Sequence, residues 1–129
     1  GIEHEVLPAA EATGLGVLAW SPLGRGVLTG KYRTGTPADS RAATSQFSSF
    51  VGAYLEERSA GVVEAVARAA EGLDLSPLQV ALAWVRDRPG VTAPIVGART
   101  AAQLAGALET EDVELPGEIT AALDDVSAG

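Results

Sequence analysis

The stretch "LAWSPLGRGVLTGKY" (residues 18–32) decides the fold, because an apolar run passes directly into a glycine-rich turn. Gly24, Gly26 and Gly30 lie within seven positions, and Lys31 follows the last of them. Glycines placed in this way let a backbone approach a bound group closely, and the lysine supplies a positive charge. The stretch therefore predicts either a phosphate-binding loop or, more simply, a set of tight turns after a strand.

Two common phosphate-binding motifs do not fit this spacing. The P-loop pattern G-x-x-x-x-G-K-[ST] requires a glycine where this chain has Arg25, and a serine or threonine where it has Tyr32. The dinucleotide fingerprint G-x-G-x-x-G begins correctly at Gly24 and Gly26 but meets Thr29 in place of its third glycine. A phosphate bound here must therefore be held in another arrangement.

The composition limits both the class of protein and its partners. With 129 residues, 47% of them hydrophobic, the chain has an ordinary size for one globular domain. It contains no cysteine, which suits a cytoplasmic protein, and its net charge of −8 argues against nucleic acid as a partner. No apolar run approaches the ~20 residues of a membrane span, so we expect no membrane insertion. Methionine is absent even at position 1, so we expect a piece of a longer protein.

The spacing of apolar residues predicts alternating helices and strands. Helices are predicted over 3–13, 51–72, 76–88, 100–108 and 115–126, strands over 15–20 and 91–97, and a long flexible loop over 33–50. Ser76 and Thr100 each precede a glutamine by three residues, which predicts capping boxes at the start of two helices. The acidic residues around 109–114 are predicted to form a solvated loop.

Apolar residues recur on one face of three of these helices. The positions predicted to share a face are Val6 and Ala10; Leu55, Val62, Val63, Val66 and Ala70; and Ile119, Leu123 and Val126. Both strand segments are continuous apolar runs, which are typical of strands buried on both sides, and this pattern favours a parallel sheet covered by helices. Because two such strands cannot close a sheet, we expect the missing strands to lie outside this chain.

Two motifs together resemble one family. "GVLAWSPLGRGVLTGKY" (16–32) and "VTAPIVGARTAAQLAGAL" (91–108) are similar to the C-terminal part of an aldo/keto reductase, and the resemblance extends over essentially the whole chain. It implies an α/β fold, a (β/α)8 TIM barrel, in which "VLAW" and "APIVG" are the seventh and eighth strands and a closing C-terminal helix follows. Residues 1–129 then form a single partial domain, with both motifs at the face where such barrels hold phosphate.

The first motif resembles the loop that holds the nicotinamide and pyrophosphate of NADPH. The residues that this resemblance implies as cofactor-binding are Trp20, Ser21, Leu23, Gly24, Arg25, Gly26 and Lys31. The family places an aromatic ring against the nicotinamide at the position of Trp20, and it lines the pyrophosphate at the positions of Leu23 and Arg25. Without the resemblance, an aromatic residue at a strand end is more simply explained as part of the core.

The second motif resembles the part of the family site that binds the adenosine 2′-phosphate. Gly97, Arg99, Thr100 and Gln103 match the family pattern GxRxxxQ. The arginine can bind a phosphate with two hydrogen bonds, and the N-terminus of the following helix attracts an anion. Thr100 and Gln103 are also explained by a capping box alone. Where the family commonly has an asparagine that contacts adenine, residues 106–107 are glycine and alanine, which predicts weaker recognition of the adenine edge.

The resemblance implies an NADPH-dependent oxidoreductase that reduces aldehydes or ketones, so the substrate is a small carbonyl compound. The family's catalytic aspartate, tyrosine, lysine and histidine come from earlier strands, and no position here matches them. His4 is predicted to be a solvated surface residue, and Tyr32 and Tyr54 lie at no strand end. We therefore expect this chain to bind the cofactor and, alone, to be inactive. Two alternatives stay open: a non-catalytic NADPH-binding regulatory subunit, and a stand-alone remnant that acts as an interaction module.

Overall fold

The computed structural model of the chain describes residues 2–31 and 57–128. Its helices are α1 (Val6–Thr13), α2 (Glu57–Leu73), α3 (Pro77–Arg86), α4 (Ala101–Leu108) and α5 (Gly117–Ser127), its strands are β1 (Leu18–Ala19) and β2 (Ala93–Pro94), and its 3₁₀ segments are Gly24–Thr29 and Glu109–Asp112. The predicted loop over 33–50, together with Tyr32, Tyr54 and Leu55, lies outside the described residues. Among the helices of the described ranges, none is long and apolar enough to cross a membrane.

The two strands pair in parallel, as the sequence predicts. Leu18 lies opposite Ala93 and Ala19 lies opposite Pro94. The pairing continues at both ends, because the backbone N–H of Thr92 donates to the carbonyl of Val17 and that of residue 95 donates to the carbonyl of Ala19, each at 2.8 Å. Each strand has only two residues, which is shorter than the predicted spans 15–20 and 91–97.

The prediction that these strands are buried on both sides is wrong for the described residues. Leu15, Leu18 and Ile95 are 67%, 61% and 47% exposed. A doubly buried strand needs covering layers on both faces of the sheet, and the described part of the chain leaves these side chains uncovered. The continuous apolar sequence therefore indicates a burial that the described residues do not themselves provide.

Helix α1 confirms the predicted end but not the predicted face. Gly14 adopts φ 68°, a left-handed conformation that stops the helix where the sequence predicts it. The helix begins at Val6, three residues later than predicted, and the buried positions are Leu7 and Ala10. Val6, which is predicted to share the buried face, is 49% exposed. Leu7 takes its place because it packs against the backbone at Gly90, where an added Cβ would lie 3.5 Å from the Leu7 Cβ.

The core lies where α2, α3 and α5 meet. Its buried cluster consists of Val66, Ala70, Val80, Ala81 and Leu123, with Val62, Trp84 and Ile119 packed against it. The predicted stripe on α2 is confirmed for its described members, and Val63 is buried against Val27 of the glycine-rich loop. On α5 the prediction fails at its last position, since Val126 is 37% exposed.

Helix α3 begins with the predicted capping box. The Ser76 hydroxyl accepts from the backbone N–H of Gln79 at 3.2 Å, and the Gln79 side-chain oxygen accepts from the backbone N–H of Ser76 at 2.8 Å. Pro77 occupies the first helical position, where its missing N–H costs nothing, and the helix ends before Pro89 as predicted. The predicted start and end of α3, the helix that precedes β2, are therefore confirmed.

The acidic segment after α4 is more ordered than the sequence predicts. It forms the 3₁₀ segment Glu109–Asp112, in which Thr110 is 4% exposed, and Val113 beyond it is 7% exposed. Arg86 at the end of α3 donates to the carbonyl oxygen of Thr110 at 2.5 Å and to that of Val113 at 2.6 Å. These hydrogen bonds turn the predicted solvated loop into a fixed link between α4 and α5.

Candidate functional site

Both sequence motifs leave the same edge of the sheet. Because β1 and β2 are parallel and in register, the chain after Ala19 and the chain after Pro94 emerge at their common carboxyl edge. We call residues 20–31 the first loop and residues 95–103 the second loop. In open and closed parallel sheets, ligands bind at this edge. The topology therefore positions the two motifs for one shared site.

The backbone of the first loop turns sharply through left-handed conformations. Ser21, Gly24, Arg25 and Gly26 have φ values of 55°, 52°, 58° and 92°. Two hydrogen bonds hold the turn, from the Gly24 N–H to the Ser21 carbonyl at 3.0 Å and from the Gly26 N–H to the Leu23 carbonyl at 2.9 Å. Glycine adopts positive φ freely, whereas serine and arginine are strained there by roughly 1–3 kcal/mol each. Such strain is concentrated at functional sites, which supports the assignment of this turn to binding.

The core anchors the first loop on its inner side. Val27 is 3% exposed, and Leu23 and Leu28 pack against the buried cluster. Leu23, which is predicted to line the pyrophosphate, is partly buried and packs against this cluster. The anchoring explains how so irregular a turn holds one conformation.

The outer side of the first loop carries an exposed indole and two cations. Trp20 is 72% exposed, so its indole does not belong to the core that the described residues form. The Arg25 guanidinium lies 5.6 Å from the centroid of the Trp20 ring. The Lys31 ammonium lies beside Gly26, since a Cβ added there would lie only 2.8 Å from the Lys31 Nζ. One cation is thus part of the strained turn, and the other lies beside it.

The second loop begins α4 with half of a capping box. The Thr100 hydroxyl accepts from the backbone N–H of Gln103 at 3.2 Å, as predicted. The Gln103 side chain accepts from the backbone N–H of Arg99 at 2.9 Å rather than from that of Thr100. The predicted reciprocal box is therefore incomplete, because the glutamine reaches one residue further back. Its consequence is that Gln103 fixes the backbone of Arg99.

Gly97 and Arg99 lie on the exposed surface of the second loop. A Cβ added at Gly97 would meet no atom within 4 Å among the described residues, so the fold itself does not require glycine there. Gly97 therefore stays a predicted cofactor contact.

The charge distribution along the chain favours an anion at this edge. Although the net charge is −8, no acidic residue occurs between Glu11 and Asp39 or between Asp87 and Glu109. These two stretches contain the whole of both loops and the cations Arg25, Lys31 and Arg99. The donors are guanidinium, ammonium and backbone N–H groups at a helix N-terminus, a set that suits phosphate rather than a metal ion.

A second tryptophan–arginine pair, which no sequence motif predicts, lies where α3 ends and the chain leads into β2. Arg88, just before β2, lies 4.4 Å from the Trp84 ring centroid and forms ion pairs with Glu3 and Asp124, each at 2.6 Å. The Trp84 Nε1–H also donates to Asp124 at 2.8 Å. We call these four residues the amino-edge cluster. Its members are far apart in sequence, so no local sequence pattern predicts the cluster.

The hydrogen bond from Arg88 lowers the pKa of Asp124, with a smaller contribution from the Trp84 N–H that opposes the effect of burial. The ion pair with Arg88 therefore favours the ionised form of this carboxyl group. The amino-edge cluster is saturated by its own partners and ties the start of the chain to α3 and α5. These contacts indicate a structural role rather than a binding one.

Comparisons with known proteins agree with the resemblance. The sequence model of the Aldo/keto reductase family matches residues 2–128, and the chain belongs to this family. The family fold is a (β/α)8 barrel, and the described helices and parallel strand pair have the α/β character of that fold. The resemblance inferred from the two motifs is thus confirmed.

Three relatives illustrate the match. The chain is 39% identical over 127 residues to the "Uncharacterized oxidoreductase YrpG" of Bacillus subtilis (strain 168), which covers 98% of this chain and 36% of that protein. It is 37% identical over 113 residues to the "Probable voltage-gated potassium channel subunit beta" of Oryza sativa subsp. japonica, covering 87% and 34%. It is 38% identical over 115 residues to the "Protein tas" of Escherichia coli (strain K12), covering 88% and 32%. The chain spans about a third of the length of these relatives.

Proposed function

We propose that this chain is the C-terminal part of the (β/α)8 barrel of an NADPH-dependent aldo/keto reductase, and that it supplies cofactor-binding loops without the catalytic residues. The observation that carries the proposal is the common exit of both motif loops at the carboxyl edge of one parallel strand pair. Family membership and relatives that are called oxidoreductases support it. The missing strands then belong to the part of the protein outside this chain.

The residues at this edge suit NADPH in chemistry and shape. Trp20 offers a flat apolar surface for the nicotinamide ring, and the glycines of the first loop let the backbone approach the pyrophosphate. Arg25 and Lys31 supply positive charge beside that turn, and the Ser21 hydroxyl adds a polar group. At the other end of the cofactor, Arg99 and the N-terminus of α4 bind the 2′-phosphate.

NADPH supplies the hydride that reduces a carbonyl to an alcohol. The residues of this chain bind and orient: the indole of Trp20 fixes which face of the nicotinamide ring points to the substrate, and Gln103 holds the backbone of Arg99 in place. The residue that donates a proton to the carbonyl oxygen, as the hydride reaches the carbonyl carbon, comes from earlier strands in the family. We therefore propose that turnover requires the rest of the barrel and that the substrate is a small aldehyde or ketone.

A regulatory subunit is the second candidate function. The observation that favours it is 37% identity to a protein named as a probable voltage-gated potassium channel subunit beta. In this second proposal the chain binds NADPH with the same two loops, and the protein regulates a partner without catalysing reduction. Turnover of a panel of aldehydes by the full-length protein separates the two candidates, because a subunit without catalysis binds NADPH and reduces none of them.

The proposal is tested by titrating NADPH and NADH into the full-length protein and its Arg99→Ala variant. Because NADH lacks the 2′-phosphate, the loss of one charged phosphate contact, worth about 1.5–3 kcal/mol, weakens NADPH roughly 10- to 150-fold and leaves NADH nearly unchanged. Arg68→Ala is the matched control, since Arg68 lies exposed on α2 and pairs with Glu64. Equal losses for NADPH and NADH contradict the assignment of Arg99 to the 2′-phosphate.

A further inference from the structure

We propose that Arg25 makes this site prefer the reduced cofactor, NADPH, over its oxidised form, NADP⁺. The inference rests on the proposed function, because it requires the nicotinamide ring to pack against Trp20. It starts from one contact, the Arg25 guanidinium at 5.6 Å from the Trp20 ring centroid. This distance is within the range of a cation–π interaction. One side of the indole thus already carries a positive charge before any cofactor binds.

The turn fixes the position of Arg25. Its φ of 58° lies between those of Gly24 and Gly26, both left-handed. The Gly26 N–H donates to the Leu23 carbonyl at 2.9 Å, and the Gly26 carbonyl accepts from the Thr29 hydroxyl at 2.7 Å. With Leu23 packed against the core, the turn is held from both ends. The Arg25 side chain therefore starts from a defined point beside the indole.

A charge at this position distinguishes the two redox forms. The nicotinamide ring of NADP⁺ carries a positive charge and that of NADPH is neutral, while the phosphates are the same in both. A ring stacked on Trp20 lies roughly 10 Å from the guanidinium, counting the observed 5.6 Å and one stacking distance. Coulomb repulsion at that distance weakens NADP⁺ by roughly 2-fold in a water-like medium and by roughly 15-fold at an effective dielectric constant of 20.

The indole strengthens this discrimination. A cation on one face of an aromatic ring reduces the negative electrostatic potential on the other face, so the ring attracts a second cation less strongly. Trp20 therefore holds a neutral dihydronicotinamide as an apolar surface but has less attraction for the oxidised ring. For a reductase, the consequence is that NADPH outcompetes spent NADP⁺ for the site at equal concentrations. Arg25 acts here as a positioning and specificity residue, and it takes no part in the proton transfer.

The test measures dissociation constants of NADPH and NADP⁺ by calorimetry for the full-length protein and its Arg25→Gly and Arg25→Leu variants. Glycine adopts the left-handed backbone more readily than arginine, so Arg25→Gly removes the charge and keeps the turn. We expect the ratio of the NADP⁺ to the NADPH dissociation constant to fall at least 2-fold in both variants. In the control Arg99→Ala, both cofactors weaken by the same factor and the ratio is unchanged.

Three other outcomes overturn the inference, and they differ from one another. An equal loss for both cofactors in Arg25→Gly means that Arg25 acts on the phosphates alone. An equal gain means that the guanidinium covers the ring surface that the nicotinamide needs. If the unmodified protein binds neither cofactor, the proposed function fails and the redox preference fails with it.

Discussion

A tryptophan–arginine pair lies at each of the two edges of the small sheet, and the two pairs have different surroundings. At the amino edge, Arg88 lies 4.4 Å from the Trp84 ring centroid and is held by two carboxylates at 2.6 Å. At the carboxyl edge, Arg25 lies 5.6 Å from the Trp20 centroid, within a stretch of sequence that contains no acidic residue. The first pair is half-buried and satisfied by its own chain, whereas Trp20 is 72% exposed. We therefore propose that the pair at Trp84 stabilises the fold and that the pair at Trp20 contacts the cofactor.

The largest expected effect comes from exchanging each tryptophan for alanine. Trp84 packs against the core and donates a hydrogen bond to Asp124, so Trp84→Ala should lower the free energy of unfolding by about 3 kcal/mol. Trp20 lies outside the core of the described residues, so Trp20→Ala should lower the free energy of unfolding by less than Trp84→Ala does, while lowering turnover through misplacement of the nicotinamide. Urea unfolding and steady-state kinetics of the full-length protein measure both. Similar losses of stability for the two variants would remove the distinction between the edges.

A matched pair of glycines gives the next effect. A Cβ at Gly16 would lie 2.7 Å from the Thr92 hydroxyl, which accepts a hydrogen bond from the Val17 N–H, whereas a Cβ at Gly97 meets nothing within 4 Å. Gly16→Ala should therefore lower the free energy of unfolding by about 1–2 kcal/mol, and Gly97→Ala should change it by less than about 0.5 kcal/mol. Thermal unfolding compares them. If Gly97→Ala proves the more destabilising, the second loop is packed more tightly than the described atoms indicate.

The smallest effect is a pH dependence at the amino edge. Arg88 holds the pKa of Asp124 below its ordinary value, so the contribution of this pair is present above about pH 4 and is lost as the pH falls through the lower pKa of the folded state. Because the Asp124 side chain is 38% exposed, we expect at most about 1 kcal/mol. The unfolding free energies of the parent and Asp124→Asn should differ most near pH 7 and converge as the pH falls through the lowered pKa of Asp124 in the folded state. A difference that is constant over this range would show that the ion pair does not stabilise the fold.

The sequence predicts best those features that are encoded locally. The start of α3 is predicted by the capping sequence of Ser76, Pro77 and Gln79, and the end of α1 is predicted by Gly14. The two apolar runs predict a parallel pair of strands. The helix ends depend on contacts within a few residues, and the strand pairing follows from continuous apolar runs, which are typical of parallel sheets. The two family motifs were likewise recognisable, because their glycines and capping threonine lie within short segments.

Features that depend on distant contacts could not be predicted in this way. The amino-edge cluster joins Glu3, Trp84, Arg88 and Asp124, which no periodicity connects. The burial of Leu7 instead of Val6 depends on the position of Gly90, and the left-handed backbone of Arg25 depends on a turn whose ends are packed into the core. Strand burial was predicted incorrectly because a sequence records the environment of a complete sheet, while the described residues supply only part of it.

Hydrogen exchange of the full-length protein, with and without NADPH, tests the central claim most directly. If the first and second loops form one cofactor site, backbone amides in residues 20–31 and 95–103 should become protected together on binding, while those around Arg88 at the amino edge should not change. Protection that is confined to other parts of the protein, or that appears in only one of the two loops, would contradict a shared NADPH site at the carboxyl edge.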